Sequence, residues 1–182
     1  LGRIEDEGTI YKEEADASLR FDCDDPIERF NDTVYGRHFF TNVFGLMPRS
    51  VLAKTSLIGS FASSDVVLMG QLALAGKIVE VPEKLFLWRT HKEQSMQKEY
   101  HDGDHRAYTY WFNPAMRGKM NFPHWRLLGE NLKSVLKADL SVSQKLQGLK
   151  IILTSRTRIS GRRQYLLDIV YAFKNKFRSH NS

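Results

Sequence analysis

The sequence contains a single cysteine and no long apolar run, and each of these shortages excludes a class of protein. Cys23 has no second cysteine with which to form a disulfide within the chain, and this fits a reducing cytoplasm. The longest apolar stretches, such as 66–69 and 151–153, are far below the roughly 20 residues that a membrane-spanning helix needs. Residues 1–6 lack the basic and apolar regions of a secretory signal. We therefore predict neither a transmembrane helix nor a signal peptide.

Acidic side chains are nearly missing from the last part of the chain. From Lys145 onward Asp168 is the only acidic residue, although the whole chain has a formal net charge of only +6. A basic surface attracts polyanions, which could be nucleic acid, anionic lipid or the diphosphate of a sugar nucleotide. Charge alone does not choose among these partners.

Capping residues and hydrophobic spacing predict a mixed fold. The first hundred residues favour helices at 26–35, 49–54 and 66–75, an extended segment or strand at 39–46, and two strands at 77–81 and 85–89 joined by a tight turn. Residues 92–104 are polar and predict a loop, and the remainder has helical spacing, with a break at Ser160-Gly161 between the last two helices. We place a domain boundary near residue 100, between 1–100 and a helical extension, 101–182.

Four elements between residues 42 and 95 resemble bacterial family 2 glycosyltransferases of the GT-A fold. They are Asn42-Val43-Phe44-Gly45-Leu46, then Ser64-Asp65 opening an apolar helix, then 76–83, and finally Trp88-Arg89-Thr90-His91 with Ser95. Later segments, 111–112, 123–126 and 166–168, resemble the helical tail of one subset of that family. The resemblance implies an α/β fold (α+β in this fragment), formed by the C-terminal half of a nucleotide-diphospho-sugar transferase domain and a helical tail.

The resemblance implies that Asp65 is the catalytic base. In this family an acid at the start of the helix deprotonates the acceptor hydroxyl, which then attacks the anomeric carbon and inverts it. A carboxylate at a helix N-terminus is stabilised in its ionised form by backbone N–H groups, so it can accept a proton. From the residues alone, an ordinary N-cap is the commoner explanation of Ser63-Ser64-Asp65 before an apolar run.

The resemblance also implies donor-side residues. It places Arg89, Thr90, His91 and Ser95 at the donor diphosphate, with His91 as a candidate metal ligand, and it places Phe44, Gly45 and Ser64 at the sugar pocket. Mg²⁺ or Mn²⁺ would be the cofactor of the full-length enzyme. A guanidinium suits phosphate oxygens, and an imidazole can bind a divalent metal. A surface Arg and a solvated His, and packing around Gly45, remain alternative explanations.

Two further clusters have the letters of metal sites, but their context favours a plainer explanation. Asp22-Cys23-Asp24 matches the Asp-x-Asp pattern, yet it directly precedes a helix cap. His101-Asp102-Gly103-Asp104-His105 suits an exposed loop as well as a metal site.

The nucleotide-binding half of a GT-A domain has no counterpart in this sequence. We therefore expect a fragment, inactive alone, of a bacterial inverting glycosyltransferase of polysaccharide biosynthesis that uses a nucleotide-sugar donor and a glycan or lipid-linked acceptor. We expect it in the cytoplasm, at the inner face of the membrane, with its basic C-terminal helices on anionic lipid and without a nucleic acid partner. An exposed face left by the missing half would favour a homodimer. The alternative is a non-catalytic scaffold module that binds a membrane or polyanion.

Overall fold

Helices dominate the part of the chain that the computed structural model describes, which is residues 2–4, 10–13, 20–36, 41–81, 83, 85–89, 105–117, 119–156 and 159–178. The α-helices are α1 (Pro26–Tyr35), α2 (Arg49–Leu52), α3 (Ser64–Ala75), α4 (His105–Phe112), α5 (Pro123–Lys137), α6 (Val142–Arg156) and α7 (Ile159–Arg178). The strands are β1 (Gly2–Ile4), β2 (Ile10–Glu13) and β3 (Leu87–Arg89), and short 3₁₀ helices occupy Thr41–Phe44 and Pro114–Met116.

The expected α/β fold class is wrong for this chain. The described strands are only three or four residues long and form one small sheet in the order β2-β1-β3. β1 pairs antiparallel with β2 and parallel with β3, with Ile4 opposite Arg89. The buried core lies instead between helices, so the described residues do not form a GT-A half-domain.

The strand predicted at 39–46 is wrong over its described part, because Thr41–Phe44 turns into a 3₁₀ helix. The turn is closed by the Gly45 amide, which donates to the Asn42 carbonyl at 3.0 Å. Phe44 is 71% exposed. The aromatic and β-branched residues that suggested a strand therefore lack the half-buried pleated surface on which β-propensity depends.

Of the two strands predicted at 77–81 and 85–89, only the second is found. Leu87–Arg89 is a strand, but it pairs with β1, and residues 77–81 form no strand. The Ile78 amide donates to the Phe21 carbonyl at 3.0 Å, so this segment crosses the entry to α1.

Helix predictions that rested on both caps and spacing are confirmed. The helix at 26–35 has the predicted bounds, and the Asp25 carboxylate accepts a hydrogen bond from the Ile27 amide at 2.9 Å. The helical spacing predicted for the tail is also confirmed, because α5, α6 and α7 lie there. Ser160-Gly161 does not separate the last two, because both residues lie in the first turn of α7. Among the described residues no helix is long and apolar enough to cross a bilayer.

The main core joins the front of the chain to its tail. Its buried members come from α1, α3, α5 and α6, and they are Ile27, Phe30, Val34, Leu74, Val135 and Ile152. The opposite side of α3 packs through Leu68, Met69 and Leu72 against Val43, Val51 and Leu52. A helix that is apolar all round is buried on both sides, as α3 is. The boundary predicted near residue 100 lies outside the described residues, so the division 1–100 and 101–182 stays a prediction.

Arg29 is a buried cation that connects α1 to the end of α3. Its Nε donates to the Ala73 carbonyl at 2.8 Å, and its Nη1 donates to the carbonyls of Cys23 and Asp24 at 2.7 and 3.0 Å. Ala73 lies in the last turn of α3, where carbonyl groups lack partners within the helix and the helix dipole favours a cation.

Replacing Arg29 should therefore destabilise the whole helical core. Arg29→Met keeps an apolar stem but leaves three carbonyl groups without their donor, and we expect a loss of about 3 kcal/mol in the free energy of unfolding. Urea denaturation followed by circular dichroism measures this loss. Arg117→Met, at an exposed arginine, is the control and should change stability by less than about 0.5 kcal/mol. Equal stabilities for the two variants would contradict the structural role of Arg29.

Two glycines of the tail helices provide a second, matched test of the core. A Cβ on Gly148 in α6 would lie 2.8 Å from Val135 Cγ1, whereas a Cβ on Gly129 in α5 would have no neighbour within 4 Å. We expect Gly148→Ala to destabilise the protein by about 1–2 kcal/mol through overpacking. Gly129→Ala should stabilise it by about 0.5–1 kcal/mol through helix propensity. The same urea titration gives both values, and a stabilised Gly148→Ala variant would mean that α5 and α6 do not pack closely.

Candidate functional site

The candidate site is the N-terminal end of α3, where Asp65 lies in the first turn. Ser63 occupies the N-cap position with a left-handed backbone (φ 63°, ψ 25°), and its side chain makes no capping bond. The predicted cap by 63–65 is therefore only partly correct, because the helix begins at Ser64. The Asp65 carboxylate is half-buried, and its Oδ1 accepts a hydrogen bond from the Val66 amide at 2.9 Å. The positive end of the helix dipole favours this negative charge.

Ser64, predicted to line the sugar pocket, is fully buried beside Asp65. Its hydroxyl donates to the Gly59 carbonyl at 2.8 Å, and its amide donates to the Phe61 carbonyl at 3.2 Å. These bonds tie the start of α3 to the preceding loop of residues 55–63, which we call the α3 loop. Ser64 therefore fixes the position of the loop relative to the Asp65 carboxylate.

Gln71 connects the α3 loop to α5. Its Oε1 accepts hydrogen bonds from the amide and hydroxyl of Ser56 at 2.8 and 3.2 Å, and its Nε2 donates to the Ser134 hydroxyl at 2.9 Å. Ser134 lies in α5, so one amide side chain joins α3, the α3 loop and the tail. Leu57 follows Ser56 with φ 56°, a second left-handed residue in this loop. Such a conformation costs on the order of 1 kcal/mol and persists where surrounding contacts impose it.

Two residues after position 100 also contact the α3 loop. The guanidinium carbon of Arg126 lies 4.3 Å from the centre of the Phe61 ring, which is cation–π geometry. Asn113 Nδ2 donates to the Ser60 carbonyl at 3.3 Å. The loop beside Asp65 is therefore held by α3, by α5 and by the segment after α4.

A second group of predicted site residues gathers near β3. The Phe44 ring stacks on the Phe86 ring, with centroids 5.3 Å apart and planes 14° from parallel. Phe86 directly precedes β3, whose last residue is the exposed Arg89. The structure thus brings the Phe44-Gly45 segment to the strand that carries Arg89. Thr90, His91 and Ser95 lie outside the described residues, so their roles and the metal role of His91 stay predictions.

Sequence reasoning missed a polar side chain in this second group. Both side-chain amide atoms of Asn42 are buried, and neither has a hydrogen-bond partner in the part of the chain that the structure describes. Such a group carries an uncompensated desolvation cost. The sequence offered no signal for this, because burial of Asn42 depends on how the 3₁₀ helix packs.

The Asp22-Cys23-Asp24 pattern has an ionic role at Asp24. Asp24 Oδ1 lies 2.6 Å from Lys77 Nζ, and this hydrogen bond and charge hold the pKa of the Asp24 carboxyl below its usual value. Across the described ranges no three His, Cys, Asp or Glu side chains are grouped for a metal ion. Residues 101–104 of the second pattern lie outside those ranges, and a requirement for Mg²⁺ or Mn²⁺ stays a prediction.

His124 and Asp168 form a buried pair that sequence reasoning also missed. Asp168 is 5% exposed, its Oδ2 accepts from the His124 backbone amide at 2.8 Å, and its Oδ1 lies 2.8 Å from His124 Nδ1. A carboxylate at the first turn of α5 satisfies amide groups that lack helical partners. The signal was present, since Asp168 is the only acid in a basic segment, but its partner could not be read from spacing.

Comparison of the chain with protein-family models, with curated proteins and with solved structures gives no match. The case for function therefore rests on the residues and the geometry described above.

Gln71 provides a direct test of how the α3 loop is held. Gln71→Met keeps the side-chain volume but removes the bonds to Ser56 and Ser134, so we expect a loss of about 1–2 kcal/mol in stability. Hydrogen exchange should become faster in residues 55–61 and stay unchanged in α1. Gln147→Met, on the exposed side of α6, is the matched control. Unchanged exchange in residues 55–61 would show that other contacts position the loop.

Proposed function

We propose that this chain forms the acceptor side of an inverting glycosyltransferase in which Asp65 is the general base. The acceptor hydroxyl oxygen attacks the anomeric carbon of a nucleotide sugar, its proton passes to Asp65, and the bond to the diphosphate breaks. The nucleoside diphosphate leaves with the bonding electron pair, and the anomeric centre is inverted. General base catalysis of this kind contributes typically about 10²–10⁴-fold in rate.

The observation that carries the proposal is the setting of the Asp65 carboxylate. It lies half-buried in the first turn of α3, and the loop that precedes this turn is held by α3, by α5 and by the segment after α4. A base must stay within hydrogen-bond reach of its proton, so a carboxylate on a rigid element suits this role better than one on a loose loop.

The donor side is proposed around β3. Arg89, Thr90, His91 and Ser95 would contact the diphosphate, and Phe44 and Gly45 would border the sugar. An exposed guanidinium at a strand end and an adjacent aromatic stack support this assignment. Mg²⁺ or Mn²⁺, when bound, would neutralise charge on the leaving diphosphate. We place the protein in the cytoplasm, at the inner face of the membrane, with a glycan or lipid-linked acceptor.

The test is the substitution Asp65→Asn in the complete native polypeptide. Nucleoside diphosphate release is measured with UDP-, GDP- and dTDP-sugars and a lipid and glycan extract of the source organism as acceptor. We expect kcat to fall by about 10²–10³-fold, because the amide cannot accept the proton. The exposed Asp139→Asn is the control and should retain full activity.

Two results would overturn the proposal. One is an Asp65→Asn variant that keeps its activity while Asp139→Asn does the same. The other is a wild-type polypeptide that releases nucleoside diphosphate from none of the donors, which would favour the non-catalytic scaffold module instead. Thermal unfolding of each variant separates a catalytic loss from a folding loss.

A further inference from the structure

The apolar residues of α7 face solvent. Leu166, Ile169, Val170 and Phe173 occupy positions i, i+3, i+4 and i+7, which share one side of an α-helix, and all four are exposed. The buried side of the same helix carries Asp168 and Ala172, which are 5% and 1% exposed. The helix is therefore turned so that a charged and a small residue are the most buried of its described side chains, while these four large apolar residues face solvent.

α6 has a second exposed apolar stripe. Val142, Leu146 and Leu153 lie at i, i+4 and i+11, on one side of the helix, and they are exposed. Gly148 and Ile152 on the other side are buried in the core. Like the stripe on α7, this stripe is an apolar side of a helix that no other described element covers, and such a side can bind a partner or a lipid surface.

Basic side chains border both stripes. On a helix of about 3.6 residues per turn, Lys145 and Lys150 fall on either side of the α6 stripe. Arg163 precedes Leu166 by one turn on α7, and Lys150 and Arg163 are both exposed. In sequence, residues 142–178 contain nine Lys and Arg against the single acid Asp168, a formal difference of +8. That one acid is buried against α5, away from the exposed side chains of Lys150 and Arg163.

We propose that α6 and α7 bind the surface of an anionic lipid membrane through these two stripes. The apolar side chains enter the boundary between headgroups and acyl chains, and the bordering Lys and Arg contact lipid phosphates. A nucleic acid backbone would match the charge but not the stripes. A second copy would match the stripes but would bring two basic segments of the same sign together.

Vesicle sedimentation tests this proposal without any enzyme activity, so it stands apart from the assignment of Asp65. The full chain is mixed with vesicles of phosphatidylcholine alone, or of phosphatidylcholine with phosphatidylglycerol, at low and high NaCl. We expect binding to the anionic vesicles, weakened by salt, and much weaker binding to the neutral ones.

A matched pair of double variants distinguishes binding through the α7 stripe from non-specific hydrophobic adsorption to vesicles. Leu166→Ser with Phe173→Ser should lower the partition coefficient for anionic vesicles by at least about tenfold. Val79→Ser with Val81→Ser changes two exposed apolar residues elsewhere and should leave it within about twofold. Circular dichroism confirms that both variants keep their helices, since all four positions are exposed.

Three outcomes would overturn the proposal. Equal binding to neutral and anionic vesicles would contradict the role of charge, and equal binding by the two double variants would contradict the role of the stripe. Absence of vesicle binding, with a dimer in analytical ultracentrifugation that Leu166→Ser/Phe173→Ser dissociates, would assign the stripe to a second copy of the chain.

Discussion

The packing of α1 on α3 depends on a buried arginine that donates its hydrogen bonds to three backbone carbonyl groups. Arg29 joins the turn at 23–24 to Ala73 near the end of α3, and the apolar side of α1 then meets Leu74, Val135 and Ile152. Asp65 lies eight residues before Ala73, or about 12 Å along the helix. The C-terminal end of α3 therefore binds Arg29, and its N-terminal end carries the candidate site. Substitutions at Arg29 and at Asp65 can thus test stability and activity separately.

The α3 loop combines strain with firm attachment. Leu57 and Ser63 both have left-handed backbones that are unfavourable for residues with a Cβ. The loop is contacted by side chains of three elements, namely Ser64 and Gln71 of α3, Asn113 after α4, and Arg126 of α5. Strained residues held by many contacts are typical of positions where exact backbone placement matters. The strain itself does not identify a reaction, but it explains why the first turn of α3 begins at Ser64 with no side-chain cap at Ser63.

Sequence patterns predicted the elements that local interactions determine. Asp25 and Pro26 specify the start of α1 by themselves, and the spacing of the tail specifies helices whatever they contact. The strand predictions at 41–46 and 77–81 were wrong because strand formation depends on a partner, and within the described ranges neither segment pairs with a strand. The resemblance gave Asp65 its proposed role, but it did not predict the contacts that hold the loop before Asp65. One of these contacts joins Gln71 to Ser134, which are 63 residues apart in sequence. No spacing rule could have joined them, and the same holds for His124 and Asp168.

The His124–Asp168 pair also determines which side of α7 faces outward. Two hydrogen bonds from the start of α5 fix Asp168 inward, and the helical repeat then places Leu166, Val170 and Phe173 on the opposite side. Burying one such side chain stabilises a protein by roughly 1.5–3 kcal/mol. Each of the two hydrogen bonds to the Asp168 carboxylate contributes about 1.5–3 kcal/mol, a gain of the same order as the burial that the exposed apolar residues forgo. The inward position of Asp168 therefore determines which apolar residues of α7 face solvent, and these residues form the stripe that we propose binds lipid.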